Sequence, residues 1–518
     1  MDASLPAAVR ARRLVRAMTQ EQKLSRLTWG DPPWFAYYGT AGHVSGIPEL
    51  CVPDLVLSDA GSGVAGLQIA TTVFPSGVAQ ASTWRPGLLR RLGRAIGTEA
   101  HAKGINVMLA PGMNVARTPY GGRNFEYFGE DPYLATELTV PLIRGIQDRP
   151  VLADAKHFAF NDQETDRDFI DVTVDERTRR EIYLPAFEAA VRRADVGSVM
   201  CAYNKVDGRH GCENRDLLTG YLRREWGFDG FVVSDWGATH STAASARAGM
   251  DLEMHSAESP VSPPGFPATV RYFGADDLQA AVDDGALSQR RVDAMVRNIV
   301  QPMFEHGLFE DPVSPGLPAF LSDVSSEEHQ ALAREVATDA TVLLKNRDDL
   351  LPLDDEGGRT IAVIGWAANP VGAANAIAGG GSSHGSGINR VVSPLEGILA
   401  AATARGDRVV HVEGSSVLDA TLAAQAADVA VVVATDGSTE MTDRPDLGLR
   451  PAVCVTVFCQ AVPIEQEAMI EAVTAANPSS VVVLDVGGPV RMPWLEDAGA
   501  VLVPWYGGIQ HGHALADV

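Results

Sequence analysis

The chain has 518 residues, 46% of them hydrophobic and 21% charged, and its 42 Lys and Arg against 66 Asp and Glu leave a formal charge of −24. At about 150 residues per domain, that length predicts two or three domains with sizeable cores and excludes a disordered chain. The negative balance repels phosphate backbones and anionic lipid headgroups, which excludes nucleic acid and membrane surfaces as partners.

Residues 1–20 read as an Arg-studded amphipathic helix without the continuous apolar stretch of a signal peptide, and no later apolar run approaches the length of a membrane span. A cytoplasmic location is therefore expected. From residue 50 to about 255, short β-branched runs alternate with helical patterns, the signature of βα units on a parallel sheet. The strands expected there include 105–111, 196–203 and 230–236, with a helix over 175–194 between the first two. Such repetition suits a (β/α)8 TIM-like barrel over residues 1–320, in which the Pro- and Ser-rich stretch 255–267 reads as a loop. Residues 321–345 read as a linker and connecting helix capped by Ser325 or Ser326. Buried-type strands at 360–365, 428–435, 479–486 and 500–506 then predict an α/β sandwich domain over 346–518. The five cysteines, Cys51, Cys201, Cys212, Cys454 and Cys459, lack CxxC spacing and read as thiols rather than as a disulfide framework or zinc cluster.

A barrel presents its reactive groups at the C-terminal ends of its strands, so polar residues that directly follow an apolar run carry the information. Asp59 follows CVPDLVL, Lys156 and His157 follow VLADA, Tyr203 follows VGSVM, and Asp235 and Trp236 follow GFVV. Taken singly, a strand-end Asp more often caps a helix or closes a turn, and a Trp more often packs in a core. Together they point to a barrel with an active site, and carboxylates beside an indole suit sugar hydroxyls and C–H faces. The glycine run 379–387 lacks GK[ST] and reads as a loop able to bring backbone N–H groups close to a ligand. HEXXH, GXSXG and EF-hand patterns are missing, His511 and His513 alone make no metal site, and no cofactor is implied.

The runs LAPGMNVARTPYGGRNFEYFGEDPYLA (109–135), KHFAFNDQETDR (156–167), MCAYN and VVSDW occur in fixed order, and together they resemble glycoside hydrolase family 3 in its bacterial β-glucosidase branch. The resemblance extends from MTQEQKLSRL (18–27) to WYGG (505–508), nearly the whole chain. It implies a barrel followed by an α/β sandwich and a retaining exo-β-glucosidase acting on a carbohydrate substrate. Asp235 matches the family's nucleophile. Asp59, Arg123, Lys156, His157 and Tyr203 match positions that hold the sugar, and Trp236 would line the adjoining wall. Glu440, in TEMTDR, matches the acid/base; otherwise it would be a solvated carboxylate pairing with Arg444. A homo-oligomer is among the expected partners.

Four departures carry expectations of their own. DAGSGVA (59–65) lacks a proline and an arginine of the family pattern, which should loosen that loop. Met441 stands where the family has Gly and should resist positive φ. The segment RPAVCVTVFCQAVPIE (450–465) is an apolar insertion with no assigned role. The chain stops at ALADV, which should leave AVLVPWY as an uncovered last strand. The other readings are a catalytically impaired sugar-binding relative, a β-xylosidase, or a β-N-acetylhexosaminidase; KHFAFND lacks the second His of KHFPGHG, which counts against the last.

Overall fold

The computed structural model describes residues 4–27, 39–254, 270–354, 356–385, 390–455 and 458–518. The expected loop at 255–267 lies outside the described residues. Strands β1 (Gly42–Val44), β2 (Leu55–Asp59), β3 (Val107–Leu109), β4 (Leu152–Phe158), β6 (Ser198–Cys201) and β9 (Phe231–Ser234) form the barrel sheet among the described residues, in the order β1-β2-β3-β4-β6-β9. The strands from β2 onward pair in parallel, and a parallel bridge from Val233 to Leu252 extends the wall. β1 runs antiparallel to β2. The turn between them, tightened by a 3-10 segment at Pro48–Leu50, is too short for the crossover that a parallel pair needs.

The amino-terminal helix Ala7–Ala17 belongs to the barrel: it buries Leu14 and Val15, and Arg10 pairs with Glu310 at 2.5 Å. A side sheet of β5 (Asp171–Val172), β7 (Lys205–Val206) and β8 (Arg209–His210) lies among the loops at the strand ends. The helix Glu327–Ala340 leads to the second domain, and Ser326 caps it by accepting the His329 N–H at 3.2 Å.

The second sheet contains β10 (Val342–Asn346), β11 (Thr360–Ile364), β12 (Arg408–Val412), β13 (Val429–Thr435), β16 (Ser480–Asp485) and β17 (Ala500–Val503), in the order β10-β17-β16-β13-β11-β12. Alternation along a strand sends successive side chains to opposite faces. Ala430, Val432 and Ala434 thus join one core with Met469 and Val501, while Val429, Val431 and Val433 join another with Ile361 and Leu502. A sheet buried on both faces accounts for the continuous apolar runs in the sequence. β10 pairs antiparallel with β17, so AVLVPWY is not the uncovered edge expected from the sequence.

The inserted segment folds as the hairpin β14 (Ala452–Val455) and β15 (Phe458–Ala461), whose register sets Cys454 opposite Cys459. This corrects the reading of the cysteines as thiols, because the two form a disulfide, with Cα atoms 4.1 Å apart. A second disulfide joins Cys201, at the end of β6, to Cys212, with Cα atoms 5.2 Å apart, and Cys51 is free and exposed. Chain reversal creates both contacts, which spacing alone does not reveal. Among the described residues, no helix is long and apolar enough to cross a membrane.

Candidate active site

Parallel strands end on the same side of a sheet, so β2, β4, β6 and β9 deliver Asp59, Lys156, His157, Tyr203, Asp235 and Trp236 to one end of the barrel. Asp235, next after β9, is buried, and its Oδ1 accepts the Trp236 N–H at 2.8 Å. The Nε2 of His157 lies 3.6 Å from its Oδ2, and the Tyr203 hydroxyl hydrogen-bonds to the same carboxylate. Burial pushes the Asp235 carboxyl up, opposed by Arg167 and Arg123. Burial also holds His157 well below the usual imidazole range, aided by Arg123, Lys156 and Arg167. His157 is thus a neutral hydrogen-bonding group, and Asn114 locks it in place by bonding both its backbone N–H, at 2.7 Å, and its carbonyl, at 3.0 Å.

Asp59 ends β2. Burial pushes it up to about 7 against the pull of Lys156, while Glu440 and Asp235 add to the rise. Its loop is closed rather than loosened, because the Asp59 carbonyl accepts the Ala65 N–H at 2.9 Å and the Gly61 carbonyl accepts the Gln80 amide at 3.0 Å. Trp236 is half-buried and donates its indole N–H to the Ala41 carbonyl at 3.2 Å.

The second domain completes the cluster. Glu440 is 7% exposed and lies on a loop after β13, which excludes the solvated-carboxylate reading. Its Oε1 pairs with Arg167 at 2.8 Å and with Arg123 at 3.5 Å, and its Oε2 accepts the Ser382 N–H at 2.8 Å. Arg444 instead donates to the Pro489 carbonyl at 2.7 Å. Burial pushes Glu440 up, but the two guanidinium groups and the Ser382 N–H outweigh it and hold the carboxyl well below its usual range. Arg123 also pairs with Glu126 at 2.6 Å, which anchors its side chain on the barrel.

Two close approaches make this junction. A Cβ at Gly381, whose φ is +89°, would lie 2.4 Å from the Glu440 Cβ, and one at Gly122 would lie 2.0 Å from the Thr442 carbonyl oxygen. Met441 adopts φ 69°, contrary to the sequence expectation, and its N–H bonds to Glu164 at 2.8 Å. That bond supplies a local compensation for a conformation that usually favours glycine.

All eight residues singled out from the sequence therefore lie in or beside one buried cluster. The sequence reading missed Arg167, whose guanidinium also sits 4.2 Å over the Tyr203 ring, and Glu164, which pairs with Arg167 at 2.7 Å. The signal available was the i,i+3 spacing of Glu164 and Arg167 within KHFAFNDQETDR. It also missed Asp443, which bonds to barrel backbone groups, and Ser382, whose backbone N–H turns to Glu440.

A barrel with carboxylates and cations buried at its strand ends, roofed by a carboxylate from a following parallel-sheet domain, defines a two-domain glycoside hydrolase architecture. Residues 44–301 match the family description "Glycosyl hydrolase family 3 N terminal domain", and residues 341–518 match "Glycosyl hydrolase family 3 C-terminal domain". The chain belongs to glycosyl hydrolase family 3. It is 36% identical to the thermostable beta-glucosidase B of Acetivibrio thermocellus, over 99% of this chain and 64% of that protein, so it spans less than two thirds of that relative. It is 35% identical to the beta-glucosidase BoGH3A of Bacteroides ovatus, over 100% of this chain and 70% of that protein. The crystal structure of DesR, a beta-glucosidase from Streptomyces venezuelae in complex with D-glucose, aligns with a TM-score of 0.87 at 30% identity, covering 98% of this chain and 76% of that one.

Proposed function

We propose that this chain is a retaining exo-β-glycosidase that releases terminal nonreducing β-D-glucosyl residues from β-glucosides or oligosaccharides. The observation that carries the reading is the pairing of two differently treated carboxyls. Asp235 is buried against Tyr203 and neutral His157, and Glu440, held from the second domain by Arg123 and Arg167, is near enough to push the Asp235 carboxyl up. In this mechanism the Asp235 carboxylate forms a bond to C1 as the C1–O bond to the leaving group breaks, and Glu440 gives that oxygen its proton. Glu440 then takes a proton from water, whose oxygen bonds to C1 and displaces Asp235. Asp59, Arg123, Lys156, His157 and Tyr203 grip sugar hydroxyls, Arg167 joins them, and Trp236 lines the adjoining wall.

A 2-deoxy-2-fluoro glucosyl donor tests the assignment, because the stalled intermediate should label Asp235 and mass spectrometry of the digest locates it. A label on Asp59 or Glu440 instead, in active protein, overturns the roles. A panel of aryl β-D-glucoside, β-D-xyloside and β-N-acetylglucosaminide tests the sugar. The proposal extends to a homo-oligomer, which light scattering checks, and to a cytoplasmic location, against which the two disulfides weigh.

A further inference from the structure

Beside the buried cluster lies a cavity of about 260 Å³, lined by none of the residues assigned to the reaction. It sits among the loops that follow β3, β4 and β6, with Asn161 and Asn204 on its floor and Arg117 and Asp171 at its exposed mouth. Asn161 is 2% exposed, and neither its side-chain oxygen nor its side-chain nitrogen has a protein partner. Asn204, 1% exposed, spends its amide N–H groups on the carbonyls of Ala159 and Lys205, each at 3.2 Å, and leaves its Oδ1 free. Asp162 also has a buried oxygen without a partner, while Tyr183 bonds its carboxyl. Buried amides and carboxyls left without partners carry a desolvation cost, so the cavity is built to be filled by polar matter.

The lining discriminates among ligand classes. Two carboxyls, Asp162 and Asp171, oppose an anion. The Arg117 guanidinium opposes a cation, and burial pushes Asp162 up to about 7, which lowers the negative charge available to attract one. An apolar ligand would leave the Asn161 amide unpaired. A neutral polyhydroxylated ring meets all these demands: its hydroxyls can donate to the free oxygens of Asn161, Asn204 and Asp162 and accept from the Asn161 amide. Its C–H face can rest on Phe160 and Ile170, which also line the cavity.

The geometry points to a second carbohydrate site, of monosaccharide size, between Asn161, Asn204 and Asp162. It is distinct from the cluster around Asp235 and does not depend on the chemistry proposed there. Crystals soaked in D-glucose, together with calorimetric titration of D-glucose, test it on the full chain. The expected result is sugar density on Asn161 and Asn204, and a binding event that persists after the Asp235 site is blocked by the fluoroglucosyl label. Asn161→Leu should weaken that event at least tenfold, and Asn204→Leu should do the same if the first variant fails to fold. Water alone in the cavity, binding at crystal concentration only, or an affinity unchanged in both variants would overturn the proposal. Failure of labelling or turnover with sugar still bound on Asn161 would instead count against the proposed reaction.

Discussion

The Asp443 carboxylate, on the second domain, accepts the backbone N–H of Glu164, on the barrel, at 2.9 Å. The same carboxylate accepts the N–H groups of Thr165 at 2.9 Å and Gly122 at 3.0 Å, so one side chain ties the Glu440 loop to the two barrel loops that carry Arg167 and Arg123. Charge-assisted bonds to three backbone donors are stronger than neutral ones, and removing the acceptor leaves the donors unsatisfied.

Asp443→Ala should therefore misplace Glu440 without touching substrate. The expected loss is about 10- to 100-fold in kcat with a smaller change in KM, on the scale of 1.4 kcal/mol per factor of ten. Asp443→Asn, which keeps one acceptor oxygen, should recover part of it. Steady-state kinetics on one aryl β-glucoside check both, and a pure KM effect would show that Asp443 does not position the Glu440 loop.

The strand-end residues were legible because a polar residue directly after an apolar run has one place to be in a parallel barrel. Asp59, Lys156, His157, Tyr203 and Asp235 were found that way. Arg123 and Glu440 were reachable only through the family resemblance, since each lies on a long loop with no periodic signal. Arg167 was missed although its i,i+3 spacing from Glu164 is a local signal, and Asp443 was missed because its importance arises where two loops from different domains meet, a contact that no local pattern encodes. The cysteine pairings were missed for a related reason: a hairpin register, not a spacing rule, sets Cys454 against Cys459.

Asp154, inside β4 and fully buried, has a carboxyl pushed up to about 7, because burial outweighs the Ser198 hydroxyl and Lys156. Its folded pKa lies above the unfolded value, so the unfolded state releases the proton first as pH rises. Stability from this group is then fully present below about pH 4 and falls away up to about pH 7, by on the order of 4 kcal/mol. Asp154→Asn keeps an acceptor for the Ser198 hydroxyl, which lies 2.6 Å from Oδ1, and removes the ionisation. Denaturant melts should show the variant gaining stability over wild type at pH 8 and much less at pH 4. An equal difference at both values would place the ionisation elsewhere.

The hairpin of β14 and β15 bears on the same loop as Glu440. A Cβ at Gly380 would meet the Thr439 hydroxyl at 2.5 Å and the Cys454 Cβ at 3.1 Å, so the hairpin backs the glycine loop that presents the Ser382 N–H. A disulfide closing so short a loop contributes about 2 kcal/mol in the chain-entropy account. The double variant Cys454→Ala, Cys459→Ala should expose the hairpin to proteolysis and lower kcat severalfold while leaving the barrel melt in place. Unchanged proteolysis and kcat would make the hairpin a passive insertion.

Glu440 carries the most exacting prediction, because it is paired with two arginines that hold it ionised, whereas an acid must arrive at the leaving oxygen with a proton. Protonation then has to accompany substrate entry, when the sugar competes with the carboxylate for Arg123 and Arg167. Glu440→Ala should accordingly lose about 10²–10⁴-fold in rate on alkyl glucosides, whose leaving groups need the proton, and far less in the first chemical step on a dinitrophenyl glucoside. Azide should restore turnover of the activated substrate, with a β-glucosyl azide as product, since it attacks C1 without needing a base. Arg167→Met removes one cation from Glu440 and raises its pKa, so the alkaline limb of kcat/KM should move to higher pH even as substrate binding weakens. Equal losses on both substrates, no azide product and an unmoved limb would leave Glu440 as a structural partner of the arginines and assign the proton to another group.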